Sequence, residues 1–319
     1  MPWWRLPWWR RPRIGEIEMA AQSRVGFIGL GVMGAPMCRN LARKLDGEIV
    51  GYDVVPEPLA ALAADGVRAA ASVAELVERV DIVFLSLPGD AQVREVCLGR
   101  GGISSHCHGG QTVVDCSTTT VALSQELSTA FADARVSFAD APVARTREAA
   151  ERGTLSVMVG GAPEVLERIR PYLDCFATEI THCGGVGSGQ TVKLLNNMVL
   201  FQTVNALAEA LTVARRAGLE GRLLLETLAK GSADSFALRN HGMKALLPER
   251  FPERSFSTRY AMKDLSGALA LAEAHGVRIE GAALVMRRFE ESLNQGHGEV
   301  YFPALIKVVE SKIGSGAGG

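Results

Sequence analysis

The chain has almost no net charge to offer a partner: 34 Lys and Arg against 35 Asp and Glu over 319 residues leave −1. Without a basic field nothing draws a polyanion, so no nucleic-acid partner is expected. No apolar run approaches the ~18 residues that cross a bilayer, so no membrane span is expected either. Aromatic residues amount to only 6%, and all four tryptophans sit in the opening stretch Met1-Pro-Trp-Trp-Arg-Leu-Pro-Trp-Trp-Arg-Arg-Pro. That stretch lacks the apolar segment of ~7–15 residues that a secretory signal needs. A short Trp/Arg segment suits a membrane interface. The reading adopted for 1–23 is instead a disordered or mis-called N-terminal extension, with Met19 as the alternative start.

The six cysteines, Cys38, Cys97, Cys107, Cys116, Cys175 and Cys183, include no C-x-x-C pair. Neither a disulfide framework nor a zinc site is expected, and free thiols fit a cytoplasmic protein. His106-Cys107-His108 comes nearest to a ligand cluster. It stands in a Gly/Ser-rich stretch with no second group nearby and reads as a surface loop, so no metal is expected.

What is present is periodic. Val25–Gly29 reads as a buried strand, followed by Met33, Met37, Leu41 and Leu45 at helical spacing. Strand signals recur at Ile49–Asp53, Asp81–Leu87, Thr112–Cys116, Val136–Asp140, Thr154–Val159 and Glu179–His182, separated by helical patterns that include Leu59–Ala64. Strands alternating with helices predict a Rossmann-type, doubly wound parallel sheet. After Gly184-Gly-Val-Gly-Ser-Gly189 the strand signals stop, and Gln190–Ala217 is one long helical pattern. The expected layout is an α/β dinucleotide-binding domain over 24–186, an all-α domain over 187–311 and a flexible Gly-rich tail over 312–319.

The turn Gly29-Leu30-Gly31-Val32-Met33-Gly34 follows a strand and opens a helix, within about 30 residues of an acid at Asp53, which is the context a dinucleotide fingerprint requires. Gly29 permits the tight turn, Gly31 lets the pyrophosphate approach, and Gly34 lets helix and strand pack closely. Asp53 can accept from ribose hydroxyls and would repel a 2′-phosphate, and Val54-Val55-Pro56 offers no arginine to offset that; NAD is expected over NADP. Leu87-Pro88, closing the strand Asp81–Leu87, and Thr118 complete the expected cofactor contacts.

Asp115-Cys116-Ser117-Thr118 ends a strand where open α/β sheets bind ligands. Ser117 either hydrogen-bonds a substrate oxygen or caps the next helix. Lys193 and Asn197, four apart, share a helix face with Asn196 beside them. Such a lysine is either a solvated helical residue or, half-buried, a proton donor and acceptor for a carbonyl/alcohol pair. Lys263-Asp264 either reaches back to the cofactor or belongs to a surface helix.

The ordered set Gly29-Leu-Gly-Val-Met-Gly34, Asp115-Cys-Ser-Thr118, Asp140-Ala-Pro-Val143 with Gly153-Thr-Leu155, Gly187-x-Gly189-x-x-x-Lys193-x-x-Asn196-Asn197, and Lys263-Asp264 resembles the β-hydroxyacid dehydrogenases over roughly residues 25–310. The resemblance implies NAD-linked interconversion of a small 3-hydroxy acid and its aldehyde. It implies Lys193 as acid/base, Asn197 and Ser117 as substrate contacts, Lys263 near the nicotinamide, and a helical domain that supports homodimers or homotetramers. One departure bears on the substrate. The family loop continues from Asp-Ala-Pro-Val with Ser-Gly-Gly, whereas this chain has Ala144-Arg145-Thr146, which resembles the sulfolactaldehyde reductases. Arg145 and Thr146 are therefore expected at a strongly anionic group of the substrate. The alternative leaves Arg145 in solvent or paired with Glu148 or Glu151. Where those reductases carry a serine beyond the asparagine pair this chain has Leu200, which favours a carboxylic hydroxyacid, so both substrate classes stay open. The alternative functions are an imine reductase-like enzyme and a non-catalytic dinucleotide-binding interaction module.

Overall fold

The computed structural model describes residues 23–253 and 255–311; the expectations for the Trp/Arg extension and the Gly-rich tail lie outside these described residues. In chain order the first part runs β1 (Val25–Ile28), α1 (Gly34–Lys44), β2 (Ile49–Tyr52), α2 (Pro56–Ala63), β3 (Val67–Ala69), α3 (Val73–Arg79) and β4 (Ile82–Leu85). It continues with α4 (Asp90–Leu98), α5 (Ile103–His106), β5 (Thr112–Asp115), α6 (Val121–Asp133), β6 (Ser137–Asp140) and β7 (Val143–Ala144). Then come α7 (Arg147–Arg152), β8 (Leu155–Gly160), α8 (Pro163–Leu173) and β9 (Ala177–Gly184).

The strands form one mixed sheet in the order β3-β2-β1-β4-β5-β6-β8, with the short β7 and with β9 both on β8. From β3 to β6 all neighbours are parallel. The expected doubly wound parallel sheet is present, with an antiparallel departure at one edge. There β8 runs antiparallel to β6 and β7, while β9 lies parallel to β8. The short return through β7 and α7 does not carry the chain back over the sheet as a full crossover helix would, so β8 enters in the opposite sense. The central strands β1, β4 and β5 are buried at every residue, as near-continuous apolar runs require when helices cover both faces. Phe27, Phe84 and Phe176 lie in the core on one face, and Leu76, Leu127 and Phe131 in that on the other. Strand order reverses between β1 and β4, so the crevice for a ligand opens at their carboxyl ends.

The second part is helical: α9 (Ser188–Arg216), α10 (Gly221–Leu228), a π-helical segment Leu238–Leu246, α11 (Thr258–Ala274), α12 (Glu280–Asn294), a 3-10 turn Phe302–Leu305 and α13 (Ile306–Ser311). Its core closes around Phe201, Phe289 and Phe302, with the Phe201 and Phe302 rings 5.1 Å apart, edge to face. Helix α9 belongs to both parts. It contributes Phe201 to the helical core, and Asp140, at the end of β6, caps its first turn.

Candidate active site

The glycine turn divides its duties much as the spacing implies. Gly29 has φ +90°, a conformation that L side chains rarely adopt, and a Cβ there would lie 2.3 Å from the Ser86 carbonyl. A Cβ on Gly34 would sit 1.9 Å from the Gly29 carbonyl, so only glycine lets α1 start this close to β1. Gly31 is different: a Cβ there would meet nothing within 4 Å. The protein leaves that space open beside the start of α1, whose N-cap Met33 makes no side-chain hydrogen bond. Free N–H groups around an open glycine suit a pyrophosphate. Val32 is exposed at the same place.

Leu30 departs from the simple expectation. Its side chain is core and its N–H donates to Asp53 Oδ2 at 2.6 Å, so it holds the turn and does not face the cleft. Asp53 Oδ1 takes the Val55 N–H at 2.8 Å, which leaves each carboxylate oxygen a further lone pair for a ribose hydroxyl.

One continuous cleft of about 1970 Å³ joins this turn to Leu87, Pro88, Ser117, Thr118, Arg145, Thr146, Lys193, Asn196, Asn197 and Lys263. Of the cofactor and substrate residues expected from the sequence, all except Leu30 line it.

At the substrate end, Lys193 projects from α9 and is only 9% exposed. Among the described residues its ammonium has no hydrogen-bond or ion-pair partner; the reading as a solvated helical lysine is overturned. Burial lowers its pKa; the nearby Asp264 carboxylate opposes that shift, and the Lys263 cation adds to it. Asn197 donates from Nδ2 to Asp264 Oδ2 at 2.7 Å, leaving its second N–H free, while exposed Asn196 donates to Asn197 Oδ1 at 3.1 Å. Lys263, from α11, lies 2.9 Å from Asp264 Oδ1 and donates to the Thr118 carbonyl at 2.7 Å. The surface-helix reading of Lys263-Asp264 therefore gives way to a contact that ties the helical part to the β5 loop.

Ser117 is not a helix cap. Thr120 caps α6 by accepting from the Leu123 N–H, and the Ser117 Oγ accepts from the Leu87 N–H at 2.9 Å. Its hydroxyl also hydrogen-bonds the buried Asp115 carboxylate, which leaves one lone pair of Oγ free. Arg145 pairs with neither Glu148 nor Glu151, which bind Arg152 and Arg147. One nitrogen of its guanidinium donates to the Thr154 carbonyl at 2.6 Å and to Thr178 Oγ1 at 3.0 Å. Its backbone stands at φ +87°, a costly conformation for a side chain of this size. Thr146 caps α7, accepting from the Ala149 N–H.

Two residues escaped the sequence reading as site residues. Asp140 is buried and accepts from the Gly187 N–H at 2.6 Å and the Gln190 N–H at 2.8 Å; burial pushes its pKa up to about 6 against the pull of those amides. Gln190, also fully buried, binds both sides of the Ser117–Thr119 loop. Neither has a local signal, because each partner lies tens of residues away in the chain. Asp140→Ala is expected to lower stability by about 2 kcal/mol, the loss of a cap and two buried amide partners, and a thermal melt measures it.

Across the described residues no group of three His, Cys, Asp or Glu is placed to hold a metal ion, and His106 instead lies 3.2 Å from Glu78. No described helix is long and apolar enough to cross a membrane, and all six cysteines are free thiols.

Residues 24–185 match the family model described as the NAD binding domain of 6-phosphogluconate dehydrogenase. Residues 187–309 match that described as NAD-binding of NADP-dependent 3-hydroxyisobutyrate dehydrogenase. The chain is 32% identical to 2-(hydroxymethyl)glutarate dehydrogenase of Eubacterium barkeri, over 94% of this chain and 99% of that one. It is 33% identical to 2-hydroxy-3-oxopropionate reductase of Escherichia coli, over 90% and 97%. Among solved structures, the Mycobacterium tuberculosis 3-hydroxyisobutyrate dehydrogenase determined with L-serine superposes with a TM-score of 0.81, at 29% identity, over 90% of this chain and 99% of that one. An imine reductase from Pseudomonas sp. shares only the fold, with a TM-score of 0.58 and 16% identity over 90% of this chain and 99% of that one. With both parts of the chain matched in order, and relatives of this identity spanning nearly its whole length, it belongs to the β-hydroxyacid dehydrogenase family of NAD-binding oxidoreductases, the family of 3-hydroxyisobutyrate dehydrogenase.

Proposed function

We propose that this chain interconverts a small 3-hydroxy acid and the corresponding aldehyde with NAD, and that Lys193 is the general acid/base. One observation carries the proposal: a buried amine without a hydrogen-bond partner opens into the same cleft as the space beside Gly31. In oxidation the uncharged amine of Lys193 takes the hydroxyl proton of the substrate; in reduction the ammonium returns it to the carbonyl oxygen. Bound NAD supplies the acceptor for the hydride. The free N–H of Asn197 and the remaining lone pair of Ser117 Oγ hold the substrate, and Asp264 fixes the Asn197 amide. Asp53 and the absence of an arginine in Val54-Val55-Pro56 support NAD over NADP. Equal kcat/KM with NADH and NADPH would overturn that preference.

The pH profile follows from the burial of Lys193. Oxidation rises with pH through an ionisation below the ordinary lysine value of 10.5, and reduction declines through the same ionisation. Steady-state kinetics in both directions measure it.

Arg145 and Thr146 form the anion-recognising part of this reading. A guanidinium has five N–H donors; two are engaged by Thr154 and Thr178, leaving three for an anion. A strained backbone at this position would be relieved by glycine, so Arg145→Gly is expected to be at least as stable as wild type. The same variant should reorder kcat/KM across sulfolactaldehyde, 2-hydroxy-3-oxopropionate, methylmalonate semialdehyde and succinate semialdehyde, with the strongest anion losing most. An unchanged order removes Arg145 from specificity. Leu200 lines the same cleft and supports the carboxylic substrates.

The rival readings have weaker support. The likeness to imine reductases is one of fold, and a non-catalytic dinucleotide module would have no use for a buried, unpartnered lysine. A cytoplasmic homo-oligomer completes the proposal. The free thiols support the compartment. The exposed stripe Val192, Leu195, Val199 and Val213 along α9 supports a second copy of this chain as its cover.

A further inference from the structure

We infer that Gln190 is a positioning residue for the reaction, the ruler that sets the distance between the loop carrying Ser117 and the helix carrying Lys193. Its side chain is completely buried. Its Nε2 donates to the Ser117 carbonyl at 2.8 Å and its Oε1 accepts the Thr119 N–H at 3.2 Å. One amide thus grips both ends of the segment 117–119, whose central carbonyl, Thr118, receives Lys263. Its own backbone N–H is held by Asp140 at 2.8 Å, so the first turn of α9 is locked to the end of β6.

Lys193 lies three residues further along α9, on the same face of the helix. A substrate oxygen shared between the Ser117 hydroxyl and the Lys193 amine needs both groups at a fixed separation. In oriented reactions a misplacement of about 1 Å costs on the order of 100-fold. Gln190 does not line the cleft; it acts through Ser117 and Lys193.

The inference rests on Lys193 as the acid/base, and the two fail separately. If Lys193→Ala keeps its turnover, the acid/base reading is wrong whatever Gln190 does.

Two variants test Gln190. Gln190→Met keeps the volume and loses both hydrogen bonds. With the panel substrate of highest kcat/KM, its kcat is expected to fall roughly 10- to 100-fold at every pH. Its NADH dissociation constant, measured by fluorescence, should remain close to that of wild type. Gln190→Glu is the conservative variant. Protonated, it keeps one donor and one acceptor; ionised, it presents only acceptors to the Ser117 carbonyl. The titratable groups around the segments it holds are Asp140 on β6, which takes its backbone N–H, Asp115 on β5, which takes the Ser117 N–H, Lys193 three residues on along α9 and, beside Asp140, the Cys183 thiol on β9. Two carboxylates and burial outweigh one amine and favour the protonated form. Gln190→Glu should therefore approach wild-type kcat at low pH and lose it as pH rises, through an ionisation that wild type lacks.

A purely structural role would lower the fraction of folded enzyme and leave kcat per NADH-binding site unchanged, with no new ionisation. That result would overturn the inference, as would wild-type kcat and KM in both variants.

Discussion

Lys193→Ala is expected to lower kcat for hydroxyacid oxidation by two or more orders of magnitude while NADH still binds. The amine is buried in the cleft and, among the described residues, has no hydrogen-bond or ion-pair partner, and a positioned proton acceptor is worth roughly 10²–10⁴-fold. Cofactor binding should persist, because the turn at Gly29–Gly34 and the acid at Asp53 belong to the sheet part and do not depend on Lys193. Steady-state kcat beside a fluorescence titration with NADH separates the two effects.

The same lysine carries a stability cost. Its folded pKa lies below the ordinary value because burial disfavours the charged form. Wild type therefore gains stability as pH rises towards that ordinary value and loses it as pH falls through the depressed folded value. At neutral pH the penalty is present. Lys193→Met should be inactive yet melt at or above the wild-type temperature, with the gap closing at alkaline pH. A variant both inactive and clearly less stable would mean that the amine holds the fold together.

Gly31→Val is the second large effect, and it separates binding from folding. A side chain at Gly31 meets no protein atom within 4 Å, so the fold should tolerate it with little change in melting temperature. Its branches fill the space left for the pyrophosphate. NADH affinity is expected to fall on the order of 100-fold, the loss of about two charge-assisted backbone contacts. Gly34→Ala should behave in the opposite way. A Cβ 1.9 Å from the Gly29 carbonyl forces β1 and α1 apart, so stability falls together with binding. A melt beside an NADH titration on both variants tests the contrast.

The Rossmann-type sheet was legible because β1, β4 and β5 are buried at every residue and so read as unbroken apolar runs. Strand β3 was not legible: of Val67-Arg68-Ala69 only the valine is buried, and three residues give no period. Nor does apolar spacing carry strand direction, and β8 was for that reason expected to be parallel. The π-helical segment Leu238–Leu246 presents its buried residues at an ordinary helical spacing, so its wider turns leave no mark in the pattern.

In the site, the lysine and asparagines on one face of α9 were visible from their spacing. Their consequences depended on Asp264 and on burial, which only packing supplies. Ser117-Thr-Thr-Thr120 offers four hydroxyls to a helix start, and local rules alone do not distinguish the cap at Thr120 from the site residue at Ser117. Asp140 and Gln190 were hidden because a residue that holds two distant segments in register carries no signal in its own neighbourhood.

The central claim is that the ionising group in catalysis is Lys193. The most direct test is single-turnover oxidation of a 3-hydroxy acid by enzyme already loaded with NAD, followed across pH in wild type and in Lys193→Ala. The account predicts a wild-type rate that rises through one ionisation below the ordinary lysine value, and a variant rate that is slow and flat across the same range. The same ionisation surviving in Lys193→Ala would contradict it.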